Sequence, residues 1–237
     1  MWIYIVTLFA SMLTLVAGFG LGTILTPVFT LFYNVKLAIL LVAIIHFLNN
    51  GLKFFLFRKH VDLSIIKRFG LLSIVGAMLG SLLQLYVQSD LLKILLGIVL
   101  LLLGLGEILP VKKAFKFPRK IDIIGGFFSG LLGGLVGNQG AIRSAYLLNY
   151  DVSKEAFIAT ATMIALCIDA TRIPVYLASR EHVAAELEWQ LPIVVAVAFV
   201  GTLAGKKFLA RLSIGVFKRI VAVFVTLMGG AFVFRLL

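Results

Sequence analysis

The chain has 237 residues, 62% of them hydrophobic and 14% charged, with a mean hydropathy of +1.12 and a formal net charge of +12. Such a composition excludes a water-soluble domain, which needs far more polar surface at this size. The positive charge does not imply nucleic acid, because the basic residues fall in short clusters between apolar runs. The positive-inside rule expects such clusters in cytoplasmic loops facing anionic lipid. They are Lys53, Arg58, Lys59, Lys67 and Arg68; Lys112, Lys113, Lys116, Arg119 and Lys120; and Lys206, Lys207, Arg211, Lys218 and Arg219.

The apolar runs predict eight segments, over residues 2–33, 36–57, 64–88, 91–109, 121–150, 154–178, 190–210 and 214–236. The opening run lacks the basic start of a secretory leader and matches a later part of the chain, so it reads as retained structure. The first and fifth segments are too long for one crossing. A continuous helix of about 30 residues spans ~45 Å, against a hydrocarbon core of ~30 Å. Both are interrupted by glycine, at Gly18-Phe19-Gly20-Leu21-Gly22 with Pro27 beyond it, and at Gly133-Gly134 and Gly137-Asn138-Gln139-Gly140. Two half-helices folded into a re-entrant hairpin account for both facts. Cys167 is the single cysteine, which excludes an intrachain disulfide and a cysteine metal cluster. The three histidines have no metal-ligand spacing, and no cofactor is expected.

The segments divide into two repeats. Tyr33-Asn34-Val35 is echoed 117 residues later by Tyr150-Asp151-Val152. Gly76 and Gly80 are echoed 125 residues later by Gly201 and Gly205, both pairs being GxxxG, and Lys93 and Gly104 by Lys218 and Gly229. An insertion near Arg180 to Gln190 absorbs the difference. The organisation expected is a first membrane repeat over 1–110, a basic cytoplasmic linker over 111–120 and a second membrane repeat over 121–237. If the fifth segment is a hairpin, two crossings separate the linker from the basic loop at 206–219, and all three basic clusters share the cytoplasm. The loop carrying Glu181, Glu186 and Glu188 then lies outside. Three crossings plus one hairpin per half invert the second half relative to the first, the arrangement common in secondary transporters. The fold expected is therefore an all-α polytopic membrane protein of two inverted repeats, in a plasma (inner) membrane, with both termini outside.

Inverted-repeat transporters bind substrate near the bilayer midplane, where interrupted helices point their ends at it. A half-helix N-terminus presents unpaired N–H groups and a partial positive charge, a ready anion site. Arg143 and Ser144 fall in the first turn after the second break, and an arginine there adds a fork suited to a carboxylate, sulfonate or phosphate. The alternative is an arginine that snorkels or pairs with a nearby acid. Gly137, Asn138, Gln139 and Gly140, with Gly20 and Gly22 in the first break, let backbone approach a ligand closely. Asp169 and Arg172 sit three apart on one helical face, either as a functional pair or as an ion pair locking helices together. Asp169 is equally a candidate counter-ion to Arg143 or a proton carrier. His46, Asn49 and Asn50 occupy the matching segment of the first half, the asparagines as ligands or as helix cross-links and His46, with Asp169, as a coupling or counter-ion residue. The GxxxG pairs read as close helix packing.

Several motifs carry a family resemblance. Ala17 to Gly22 is followed by Pro27, Gly126-Phe127-Phe128-Ser129-Gly130 leads into the second break, and GNQGAIRSAYLL at 137–148 precedes SKEAFIAT at 153–160. Over nearly its whole length the chain resembles the TauE/SafE-type sulfite exporters. The resemblance implies an inverted-repeat membrane fold and export of sulfite, sulfoacetate or related organosulfur anions. Ser144 stands where that family often has a proline, and Asn138 and Gln139 occupy a break that is often pure glycine. Both departures favour a more polar, hydrogen-bonding site.

The function expected is a secondary transporter, an exporter of a small oxyanion, working by alternating access and not an enzyme. Its partners are the small anion and membrane lipid, and a homodimer is compatible with the sequence. The rival is an anion channel or a membrane scaffold whose buried charges only hold helices together.

Overall fold

The computed structural model describes residues 2–14, 20–109, 121–147, 150–178, 190–208 and 214–237. Among these all regular structure is helical. The linker at 111–120, the acidic loop with His182, Gly18 and Arg211 lie outside the described residues.

The first long segment is broken in two: α1 spans Trp2–Thr14 and α2 spans Leu21–Phe29. Next come α3 (Val35–Phe57), a single turn of 3-10 helix, α4 (Leu63–Ile65), a π turn at Ile66–Gly70, α5 (Leu71–Tyr86) and α6 (Ser89–Ile108). After the linker follow α7 (Asp122–Val136), α8 (Gly140–Leu147), α9 (Lys154–Ala178), α10 (Gln190–Phe208) and α11 (Ile214–Val233). Five helical stretches are long and apolar enough to cross a membrane: Val35–His60, Leu63–Tyr86, Ser89–Ile108, Lys154–Ala178 and Gln190–Lys207.

Local chemistry sets several boundaries. Asn34 caps α3 by accepting from the Lys36 amide at 3.0 Å, and the Ser153 hydroxyl accepts from the Ala156 amide at 3.1 Å at the start of α9. Asp62 caps α4, and the Ser64 hydroxyl with the amides of Ser64 and Ile65 holds its carboxyl below the usual carboxylate range. At the end of α7, Gly137 adopts φ +78°, a left-handed cap that L side chains resist, and its N–H bonds Gly133 O at 3.1 Å. One residue type thus ends α7 and turns the chain into α8.

The pairing of helices is the same when the two halves are exchanged. The first helix of each half packs on the long third helix of the other, α1 on α10 and α7 on α5. The second helices pair with each other, α3 with α9, as do the last, α6 with α11, and the short α2 meets α8. Each broken segment also folds on itself, α1 against α2 and α7 against α8. Large apolar side chains such as Leu71, Leu102, Val200 and Leu227 face outward, as lipid contact requires.

The α5–α7 contact is the closest. A Cβ placed on Gly130 would lie 1.9 Å from Ser73 O, and one on Gly80 would lie 2.2 Å from Leu131 O. Backbone here touches backbone, and no flexible atom can yield. Gly130→Ala is expected to lose about 1–3 kcal/mol or more through overpacking. Gly106→Ala, in open space on α6, is expected to gain about 0.5–1 kcal/mol from the intrinsic preference of helices for alanine. Thermal unfolding of the purified variants checks the pair, and equal effects at the two positions would refute the close contact.

Candidate functional site

Two helix breaks and the central pair α3–α9 bring the polar residues together. At the breaks the halves meet glycine on glycine: a Cβ on Gly140 would lie 2.7 Å from Gly20 N, and one on Gly22 would lie 2.8 Å from Gly137 O. Thr23 on α2 donates to Asn138 Oδ1 at 2.9 Å, tying the first turn of one half to the break of the other. Any larger residue at Gly22 or Gly140 separates them.

Asp169, fully buried on α9, is the hub. Its Oδ1 accepts from Arg172 Nε at 2.9 Å and from Gln139 Nε2 at 3.0 Å, and its Oδ2 lies 2.6 Å from His46 Nδ1 on α3. Arg172 is used on both sides, because its NH1 also donates to Gly133 O at 2.6 Å. Tyr176, one helical turn on, donates to Gly134 O. Together they satisfy the last carbonyls of α7, where the helix dipole favours a cation. The alternative pairing of Asp169 with Arg143 is not the one adopted.

Arg143 has a different environment. It is 6% exposed, and its NH1 donates to Gln139 Oε1 at 3.2 Å. Its Nε is buried without a partner, as are Asn138 Nδ2 and Asn49 Nδ2. No acid forms an ion pair with it among the described residues. Lys53 on α3 is likewise 6% exposed, and among the described residues its Nζ reaches only Thr14 Oγ1, at 3.5 Å. Both cations line a cavity of about 50 Å³, together with Thr14, Gly20, His46, Asn50, Ser144 and Thr162. Buried cations without counter-ions are rare because desolvation is expensive. Two at one cavity, with Arg143 Nε unpartnered beside it, direct positive charge and a free donor into the same space.

Of the residues singled out in the sequence, Arg143, Ser144, Asn50, His46 and Gly20 border this cavity. Gly22, Gly137, Asn138, Gln139 and Gly140 enclose the adjoining crossing of the two breaks. Arg172 and Asp169 lie behind it in the ion-pair hub. Asn49 faces elsewhere: its Oδ1 accepts from Thr202 on α10 at 2.8 Å, a cross-link between helices.

One placement corrects the sequence reading. Lys53 belongs to no loop; it sits inside α3 and is buried. The signal was its spacing, since His46, Asn50 and Lys53 recur at four and three residues and so share one helical face. Thr14 and Thr162 were also missed. Threonines in apolar helices usually satisfy themselves on the preceding turn, and nothing in the pattern distinguishes these.

The family described as Sulfite exporter TauE/SafE matches residues 3–232. A search of the curated proteins found no match, and neither did a search of the solved structures.

Proposed function

The chain belongs to the sulfite exporter TauE/SafE family, and on that premise we propose that the cavity between Arg143 and Lys53 is the substrate site of a small-oxyanion transporter. One observation carries the proposal: two buried cations border one cavity with no acidic partner among the described residues. An anion supplies the compensating charge and accepts from the unpartnered Arg143 Nε. The Arg143 guanidinium offers forked N–H groups to a planar or pyramidal oxyanion, while Lys53 contributes a point charge from the opposite half. Ser144, Thr162 and Asn50 provide further hydrogen-bonding groups around it. The substrate class is a sulfur oxyanion such as sulfite, or the sulfonate head of sulfoacetate or another organosulfonate.

The architecture we propose is an inverted repeat, 1–110 against 121–237 across a cytoplasmic linker. The exchangeable helix pairing and the folding of α1 on α2 and α7 on α8 support it. Each half then has one re-entrant hairpin and three crossings, with the basic loops in the cytoplasm and both termini outside. The breaks meet at Gly20 and Gly140, which supports a site at the interface of the halves. Rocking one half against the other would open it to either side in turn, the alternating access of secondary transporters.

The test is thermal stabilisation of purified protein by sulfite, sulfate, thiosulfate, sulfoacetate, taurine, lactate and phosphate. A ligand that binds only the folded state raises its apparent stability by mass action. A selective shift by sulfur oxyanions is expected; folded protein that responds to none of the panel rules out the anion site. Lys53→Met should lower the apparent affinity for dianions about tenfold or more, as loss of one charge-assisted hydrogen bond of about 1.5–3 kcal/mol requires. Monoanions should suffer less. Equal loss for both classes would mean that Lys53 only shapes the cavity.

A further inference from the structure

We propose that His46 is a proton-binding site that loads together with the anion, so that each transported oxyanion carries a proton through the same cavity. This deepens the anion-site reading and rests on it. His46 is 4% exposed, borders the cavity, and also contacts the ion-pair hub. Its Nδ1 lies 2.6 Å from Asp169 Oδ2. A carboxylate only accepts, so Nδ1 carries the hydrogen and Nε2 is the nitrogen whose protonation changes.

Asn50 Nδ2 lies 3.1 Å from both Nδ1 and Nε2, so the amide stands over the face of the ring. The in-plane lone pair of Nε2 is left to a proton, with no other hydrogen-bond partner among the described residues.

Charge around the ring couples the proton to the anion. Asp169 on α9 lies against the ring and is shared with Arg172, while Arg143 on α8 and Lys53, two turns along α3, line the same cavity. Of the other elements on α3, α2 has no titratable side chain, and α10 contributes Thr202 to Asn49 while its Lys206 lies over the Phe57 ring. On α6, Asp90 and Lys93 border a separate cleft with Phe232 and Arg235. Three cations against one carboxylate leave a surplus of positive charge, which opposes a further proton on His46. An anion beside Lys53 and Arg143 cancels that surplus, and the proton moves from bulk water to Nε2. When the anion leaves, the cations expel the proton. Linkage makes the effect mutual: a protonated His46 tightens the anion as much as the anion tightens the proton.

The experiment is calorimetric titration of the purified protein with sulfate and with thiosulfate, both fully ionised near neutral pH, in buffers of different ionisation enthalpy. The slope of heat against that enthalpy counts protons taken up. Wild-type protein is expected to take up as much as one proton per anion, and His46→Gln none for each anion it still binds. Should that variant fail to fold, the 15N shifts of His46 decide the point in protein whose other histidines, His60 and His182, are replaced by glutamine. The ring is expected to become cationic only with anion present. Binding with zero slope in the wild type, or an undiminished slope in His46→Gln, overturns the proton site and leaves the anion site standing. No heat and no thermal shift with either anion removes the anion reading itself.

Discussion

Arg143→Met is expected to abolish anion-dependent stabilisation and transport while leaving the unliganded protein as stable as the wild type, or more so. The two effects have one cause. A guanidinium buried at 6% exposure, with Gln139 Oε1 as its only hydrogen-bond acceptor among the described residues, is held against its own desolvation. Arginine in the middle of a membrane helix is unfavourable by about 2.5–3.5 kcal/mol on insertion scales. Methionine of similar reach removes that penalty and fills the same space, so the empty fold recovers a share of it. The anion, in contrast, loses its forked donor. Two charge-assisted hydrogen bonds of about 1.5–3 kcal/mol each correspond to a loss of affinity of roughly 100-fold or more.

The scaffold alternative makes the opposite forecast. If Arg143 holds helices together, its removal lowers the melting temperature and leaves any anion response in the surviving protein intact. Flux in proteoliposomes and unliganded melting therefore have to be measured on the same preparation. Arg143→Lys adds a finer comparison, because it keeps the charge and loses the fork. Its residual affinity should fall between wild type and Arg143→Met.

Much of this arrangement was legible in the chain because its signals are local. The breaks declared themselves through length and glycine, and Gly137 with φ +78° meets a requirement that its residue type advertises. Arg143, Asp169 and Arg172 stand out because a charge in an apolar run has to be explained. The Asp169–Arg172 pair followed from three-residue spacing and is present at 2.9 Å. Lys53 was misassigned because charge counted by cluster ignores the helical face that a single residue occupies. The other partners of Asp169 were beyond local pattern, since Gln139 comes from the second break and His46 from the opposite half. The GxxxG pair Gly76/Gly80 announced a close contact without naming its partner. Only the fold sets it against α7, where Gly130 and Gly134 approach equally closely.

Asp169→Asn is expected to act in the reverse sense to Arg143→Met and to be among the most damaging single changes in the chain. Asparagine keeps the shape of the side chain, so the consequence is one of charge and hydrogen-bond direction. Arg172, 1% exposed, loses its counter-ion and retains Gly133 O as its partner. The amide end also places a donor where Asp169 now accepts from Gln139 or faces His46. Breaking a buried pair by removing one partner usually destabilises by about 3–5 kcal/mol, because the remaining charge stays desolvated. Removing both charges in Asp169→Asn/Arg172→Met should recover part of that loss, a non-additivity that a double-mutant cycle reads directly. Transport should stay low in the double variant even when it folds. Gln139 is positioned by Asp169 and in turn holds Arg143 at 3.2 Å, so the hub transmits its geometry to the cavity. If Asp169→Asn melts with the wild type, the carboxylate is not compensating a buried charge. If the double variant regains full transport, the chain through Gln139 does not position Arg143.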